Sequence, residues 1–344
     1  MGIDKKLNIK IGDLSSGKNN LITDVAGVEV GHKTIDDGEI QTGVTAIFPH
    51  KNNLFKNKVM ASCHVINGFG KSVGLVQIEE LGNIETPIVL TNTLSVGVAS
   101  TALTRYMLKE NEDIGTTTGT VNPIIGECND GFLNNIRAMA VTENDVKEAL
   151  NNTSSIFEEG SVGAGRAMRC HGLKGGIGSA SRVVELNSEK YTIGALLLAN
   201  HGRFPNLEIN GKNISKEVEK QIHGEDKGSV IIVLATDIPL SSRQLKRLCK
   251  RAVIGLGRVG SFVGNGSGDI AIAFSTANII KHYPENDFEQ IKSVVDGKMD
   301  QLFIAIIEAV QESILSAMLH AKPIVGFQER RLDTLSEILK KIKI

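Results

Sequence analysis

Apolar and polar positions fall into two regimes along this chain. Up to Asn200, short and continuously apolar runs at residues 28–30, 43–48, 63–66, 87–91 and 191–199 are separated by glycine turns. Runs that do not alternate suit strands buried on both faces, so sheets covered on each side are predicted. Helices are predicted over residues 95–109, where small and apolar side chains lead to a basic end, and over 143–151, where Thr142 supplies the cap. From Arg203 to Gly228 the pattern turns polar with isolated apolar residues, which reads as an exposed connection. Ser229-Val-Ile-Ile-Val-Leu-Ala-Thr-Asp237 follows at once and is the strongest buried-strand signal in the sequence.

Beyond it, Pro239-Leu-Ser-Ser-Arg243 opens a helix with Leu245, Leu248, Cys249, Ala252 and Val253 on one face. Arg243, Lys246, Arg247, Lys250 and Arg251 occupy the other face, which reads as solvated. The turn Gly264-Asn-Gly-Ser-Gly268 precedes another buried strand over residues 269–274. A long helix near residues 301–320 and an element over 332–342 close the chain. The apolar stretch at 303–319 is interrupted by Glu308, Gln311 and Glu312, so an amphipathic helix is expected there in place of a membrane span.

Composition narrows the function classes. With 344 residues, 41% of them hydrophobic, the chain can bury a sizeable core, as one large domain or two. A net charge of −1 provides no general field for nucleic acid or an anionic membrane. The start of the chain has no apolar run of the signal-peptide kind, and Lys6 stands where a myristoylation signal needs Ser or Thr, so a cytoplasmic protein is expected. Cys63, Cys128, Cys170 and Cys249 are scattered, without CxxC or a histidine at ligand spacing. A reducing compartment fits, and neither a disulfide framework nor a metal site is predicted.

The 36 glycines invite a nucleotide-binding reading that fails on context. Gly255, Gly257 and Gly260 match GxGxxG, but they follow a basic helix and no acidic residue stands about 20 positions on. Asn67-Gly-Phe-Gly70-Lys71-Ser72 resembles the end of a phosphate loop, yet Val65 occupies the first glycine position. Gly163-Ala-Gly165 and Gly175-Gly176-Ile-Gly178 suit either an anion cradle or tight turns.

The Gly228–Ser229 junction offers sharper chemistry. Read locally, Ser229 is an ordinary serine opening a strand. Attack by its hydroxyl on the carbonyl before it would instead cut the chain and leave an amine beside that hydroxyl. An α-amine has an unperturbed pKa of about 7.7–8.0, so it can take the hydroxyl proton at neutral pH.

Ordered motifs along the chain bear on that choice. They are Ile22-Thr-Asp-Val-Ala-Gly-Val-Glu-Val-Gly-His32, Thr42-Gly-Val-Thr-Ala-Ile47, Glu85-Thr-Pro-Ile-Val-Leu-Thr-Asn-Thr-Leu-Ser-Val-Gly97, Lys174-Gly-Gly-Ile-Gly-Ser-Ala-Ser-Arg182, Gly228-Ser-Val-Ile-Ile-Val233 and Asn265-Gly-Ser-Gly-Asp269. In this order the sequence resembles the DmpA-like L-aminopeptidase/D-Ala-esterase and β-peptidyl aminopeptidase family. The resemblance implies an α+β fold, an αββα four-layer sandwich with two stacked mixed sheets between helical layers. It implies a single domain over residues 1–344 that cuts itself into 1–228 and 229–344. It further implies a cofactor-free, metal-free N-terminal-nucleophile hydrolase acting on short peptides or amino-acid amides and esters, assembled as a homotetramer.

By similarity Ser229 is the nucleophile, Ser267 and Asp269 orient it, and Asn200 stabilises the oxyanion. Glu127 would receive the substrate ammonium, with Asn129 beside it where some relatives carry tyrosine. Bland readings stand next to these: Asp269 as a turn cap, Asn200 as the end of a strand, Glu127 as a solvated carboxylate. Lys71, Arg166 and Arg169 depart from the family pattern and would bring positive charge towards the pocket. Two further classes share the sequence features, an acyltransferase of the same chemistry and a non-cleaving small-molecule binder.

Overall fold

The computed structural model describes residues 10–218 and 228–341. Its strands are β1 (Glu29–Asp37), β2 (Ile40–Phe48), β3 (Asn57–Gly68), β4 (Asn83–Ile84), β5 (Ile88–Asn92), β6 (Ile124–Cys128), β7 (Thr153–Ser154), β8 (Arg169–Cys170), β9 (Leu173–Lys174), β10 (Gly176–Leu186), β11 (Glu189–Asn200), β12 (Glu208–Ile209), β13 (Lys212–Asn213), β14 (Ser229–Thr236) and β15 (Gly268–Lys281). The helices are α1 (Leu75–Leu81), α2 (Val96–Glu110), α3 (Glu143–Asn151), α4 (Ser242–Arg258), α5 (Met299–His320) and α6 (Leu335–Leu339).

Two mixed sheets form, with strand orders β6-β5-β2-β1-β7 and β10-β11-β14-β15-β3-β4. The non-alternating runs explain why they stack. Along β14, Ile231, Val233 and Ala235 pack with Ile47, Leu90 and Ile124 of the other sheet, whereas Val230, Ile232 and Leu234 pack with Leu245, Ile306 and Val310 of helices α4 and α5. The outer face of the first sheet, through Val44, Val89 and Ile125, meets Leu103, Met107 and Val146 of α2 and α3. Each sheet therefore lies between the other sheet and a helical layer, the expected four-layer sandwich. Thr142 caps α3 as predicted, in a reciprocal box with Asp145.

Several expectations are corrected. Helix α5 is long and apolar enough to cross a membrane, but it is buried inside the protein and is not amphipathic. Glu308 and Glu312 are buried partners of Arg182, which is 1% exposed, while Asp300 in the first turn is exposed. Arg182 bonds Glu308 at 2.9 Å and Glu312 at 2.6 Å, and donates to the carbonyls of Ile11 at 2.7 Å and Ser181 at 2.8 Å. The remaining lone pairs of Glu308 accept from the backbone N–H groups of Asp13 and Leu14.

Nor is the segment from Arg203 a bare connection. Phe204, Leu207, Ile209 and Ile214 are buried in the core around the β12–β13 hairpin, while residues 219–227 lie outside the described residues. Gly176 and Gly178 belong to β10, and the reason for glycine is close backbone approach and not an anion. A side chain at Gly178 would lie 1.9 Å from the Ser313 carbonyl oxygen of α5. On the basic face of α4, Arg243 and Lys250 are exposed as read, whereas Lys246, Arg247 and Arg251 are half-buried, the two arginines over the Phe303 ring. The final helix is short, and residues 342–344 lie outside the described residues.

Removing one partner from a buried ionic cluster leaves the others unpaired, which costs about 3–5 kcal/mol. Arg182→Ala is expected to lower stability by about that much, read as a fall in the urea midpoint with little change in slope.

Candidate functional site

The head of β14 is fixed by two neighbours. Ser229 is in register with Asn200 on the antiparallel β11 and with Gly268 on the parallel β15, and Val230 is in register with Asp269. The Gly228 carbonyl accepts from the Gly268 N–H at 3.3 Å. A side chain at Gly228 would come within 1.8 Å of the Asn200 carbonyl oxygen, so only glycine fits before the serine. Ser229 itself is 5% exposed.

Ser267 and Asp269 frame the turn into β15, where the Ser267 hydroxyl donates to Asp269 Oδ1 at 2.7 Å, both residues being buried. Asn200 is held at both ends of its amide: Oδ1 accepts from the Arg169 N–H at 2.8 Å, and Nδ2 donates to the Asn129 carbonyl at 3.1 Å. One N–H of that amide is thereby spent on orientation, and a second has no partner among the described residues. Asn129 contributes its backbone to this contact, and its side chain caps the following turn by accepting from the Gly131 N–H at 2.9 Å.

Glu127 is buried and not solvated. Its Oε1 accepts from the Lys71 N–H at 2.8 Å, and Oε2 accepts from the Thr93 hydroxyl. The turn at Asn67–Ser72, rejected as a phosphate loop from its sequence, offers its Lys71 N–H to a carboxylate of the protein, and the Asn67 side chain donates to the Ser267 carbonyl. Buried Cys128 lies among these groups, its thiol donating to the Leu198 carbonyl at 3.6 Å. Burial above all, then the Glu127 charge, holds its pKa well above the ordinary thiol value; the Ser229 side chain hydrogen-bonds it and the Asp269 charge acts on it too. Ser229 of one sheet thus meets Cys128 of the other, a contact that no spacing in the sequence betrays.

A cavity of about 430 Å³ opens at Gly228, lined by Asn129, Phe132, Arg169, Asn200, His201 and Arg330 among others. Arg169 and Arg330 stand over the Phe132 ring at 5.0 and 5.3 Å from its centroid. Of the departures noted in the sequence, Arg169 thus lies at the cavity. Arg166 pairs instead with Asp36 at 2.6 Å and Gln41 at 2.7 Å, and the Lys71 ammonium lies over Phe69. Arg330 was not foreseen, because it stands far along the chain in a segment without a motif.

The loop carrying Arg169 is braced from beneath. Buried Lys174 donates to the carbonyls of Gly165, Met168 and Gly175 at 3.2, 3.1 and 2.7 Å. Burial, then the Arg166 charge, lowers its pKa to about 7. Beyond Asn129, buried Asp130 accepts from the Thr42 hydroxyl at 2.6 Å and from Asn134 at 3.0 Å, and burial raises its pKa to about 7. Folding also gathers Cys170, His171 and His201, whose ligand atoms all lie within 4.8 Å of one another. The sequence expectation of no metal-ligand set rested on spacing along the chain, and these residues meet only in the fold. Burial and the neighbouring His171 lower the His201 pKa to about 3.

Comparison with known proteins supplies a context for this geometry. The model of the family described as peptidase family S58 matches residues 20–332. A β-peptidyl aminopeptidase, BapA, of Sphingosinicella microcystinivorans is 35% identical over 95% of this chain and 89% of its own. The crystal structure of the PH0078 protein of Pyrococcus horikoshii OT3 superposes with a TM-score of 0.94 at 49% identity, covering 98% of each chain. The L-aminopeptidase D-Ala-esterase/amidase of Ochrobactrum anthropi superposes at 0.90 with 38% identity, over 95% of this chain and 94% of that one. It is described as a prototype of the serine aminopeptidases with a variant of the Ntn hydrolase fold.

Asp130 makes the neighbourhood of Asn129 sensitive to pH. Its pKa is raised from 3.8 to about 7 on folding, so the native state holds the proton more tightly than the unfolded chain. The stabilisation is complete below the unfolded value and is lost as pH rises through about 7. Asp130→Asn is expected to remove this loss, so that its Tm relative to the parent rises between pH ~4 and ~8. Parallel Tm-against-pH curves for the two proteins would refute the assignment.

Proposed function

The chain belongs to peptidase family S58, and on that premise we propose that it releases N-terminal residues from short peptides, amino-acid amides or esters, with Ser229 as its nucleophile. The observation that carries this reading is the head of β14, where Ser229, Asn200 and the Ser267–Asp269 pair are set side by side by strand register.

Maturation comes first. The Ser229 hydroxyl attacks the Gly228 carbonyl carbon, the peptide C–N bond breaks, and the chain passes to an ester between them. Water then hydrolyses that ester, leaving a carboxylate on Gly228 and an α-amine on Ser229. The Gly268 N–H, 3.3 Å from the Gly228 oxygen, is placed to hold the charge that develops there. Residues 1–228 and 229–344 would then remain packed as two chains of one sandwich, and the proposal extends to their assembly as homotetramers.

Turnover reuses the same groups. The amine of Ser229 takes the proton from its own hydroxyl as the oxygen attacks the substrate carbonyl. The free N–H of the Asn200 amide meets the oxyanion, an interaction of a kind worth about 2.7–4 kcal/mol in the transition state. The protonated amine passes its proton to the leaving nitrogen, and water hydrolyses the acyl-serine. Ser267 and Asp269 orient the amine and hydroxyl, and Glu127 accepts the substrate's own α-ammonium. With Arg169 and Arg330 on the cavity wall, peptides short enough to present a carboxylate there are favoured.

Denaturing mass spectrometry is expected to show fragments beginning at Met1 and Ser229 in the wild type and one intact chain in Ser229→Ala. A wild-type chain that stays whole on long incubation while hydrolysing amino-acid amides would overturn the role of the serine amine. In the processed enzyme, activity is expected to fall on the acid side as that amine protonates, from a pKa near ~7.7–8.0 as adjusted by its surroundings. A flat rate well below that range would sink the assignment.

A further inference from the structure

We propose that Cys170, His171 and His201 form a binding site for one divalent cation of the zinc class, beside the candidate active site and separate from its chemistry. The three lie on two segments that the fold brings together, His171 N–H donating to the His201 carbonyl at 2.7 Å. All three are buried, and their ligand atoms lie within 4.8 Å of one another. A thiolate with two imidazoles is a set that a borderline-soft ion of tetrahedral habit takes, with bonds of about 2.0–2.3 Å. Ligands at the corners of such a tetrahedron stand about 3.3–3.8 Å apart, so side-chain adjustment alone closes the set.

Two independent features point to a ligand. The first is His201, 2% exposed, with neither ring nitrogen hydrogen-bonded among the described residues. A buried imidazole left in that state loses its water contacts without replacement, a cost that coordination removes. Its ring meets that of His171 edge to face, with centroids 5.6 Å apart, which aims it into the cluster. The second is the tautomer of His171. Its Nδ1 lies 3.1 Å from the Arg203 carbonyl, an acceptor only, so Nδ1 carries the hydrogen and the lone pair resides on Nε2. A histidine whose far nitrogen is held by a carbonyl is the usual arrangement behind a metal ligand.

His171 holds a left-handed backbone with φ of 47°, uncommon for a residue with a side chain. Gly202 leaves the ring its space, since a side chain there would come within 2.5 Å of it. His201 also lines the cavity at Gly228, so the fourth position is open to water from that side. On binding, Cys170 releases its thiol proton to solvent and the ion takes two neutral imidazoles and one thiolate. The site borders Asn200 through His201 in sequence and through Arg169, whose N–H holds the Asn200 amide. Occupancy would stiffen that corner without entering the hydrolytic steps.

Titrating chelator-stripped, full-length protein with Co2+ tests the site. Absorbance is expected to show a thiolate-to-cobalt charge-transfer band saturating at one equivalent per chain, which Zn2+ then bleaches by displacement. Cys170→Ser should abolish the band, and His201→Gln should weaken binding by at least about tenfold, while Cys249→Ser behaves as wild type. Zn2+ should also raise the Tm of the wild type and not that of Cys170→Ser. If a variant does not fold, the wild-type titration decides alone. Absence of the band, or cobalt uptake without one, overturns the proposal, as does an undiminished band in Cys170→Ser.

Discussion

Strand register at the head of β14 is the constraint from which the rest of the candidate site follows. Because side chains alternate along a strand, a slip of one residue would exchange its two faces and carry Ser229 away from Cys128. Register is secured on both sides, by the antiparallel pairing that ends at Asn200 and the parallel pairing that begins at Gly268. Both faces of β14 are buried, so a slip would also mismatch two cores at once. The groups at the site are therefore placed by a strand paired and buried on both sides, while the cavity wall opposite is assembled largely from turns.

Those turns depend on buried charge. Lys174 gathers three carbonyls of the loop that presents Arg169, and Asp130 ties the turn after Asn129 to Thr42 of β2. Arg182 does similar work farther off, joining β10 and the segment from Ile11 to helix α5. None of these charges is an obvious gain in stability over an apolar core, because each must be desolvated. What each provides is direction: a hydrogen-bonding charge fixes a loop in a way that an aliphatic side chain does not.

Legibility in the sequence divides along the same line. Elements whose signal is local were readable: the apolar strand from Ser229, the Thr142 cap of α3, the periodic face of α4. Groups that depend on distant partners were not. Glu308 and Glu312 looked like a solvated face because Arg182, which buries them, is more than a hundred positions away. The turn at Asn67–Ser72 looked like a failed phosphate loop because the carboxylate it serves, Glu127, lies on β6. Phe204, Leu207, Ile209 and Ile214 were discounted because single apolar residues in a polar stretch carry no period. The candidate residues Ser229, Ser267, Asp269, Asn200, Glu127 and Asn129 came from motif resemblance, and the fold supplies the physical reason that they stand together. Arg330, which has no motif, and the cysteine–histidine cluster, which has no spacing, were beyond such reading.

The proposed chemistry sets two influences against each other at one nitrogen. Ser229 is nearly inaccessible, and burial favours the neutral amine, the form that accepts a proton. Glu127 and Asp269, whose charges both act on the adjacent Cys128 thiol, favour the ammonium form instead. A base that must accept a proton from a hydroxyl and return it to a leaving amine works best when neither influence prevails. The arrangement suits that need. Glu127 is already engaged by the Lys71 N–H and Thr93, and Asp269 by Ser267, which disperses part of each carboxylate charge before it reaches the amine. In the proposed chemistry, hydrogen bonds that look like mere anchoring would thus temper the field at Ser229. The turn at Asn67–Ser72, joined to both Glu127 and the Ser267 segment, would be the element through which that proposed balance is held.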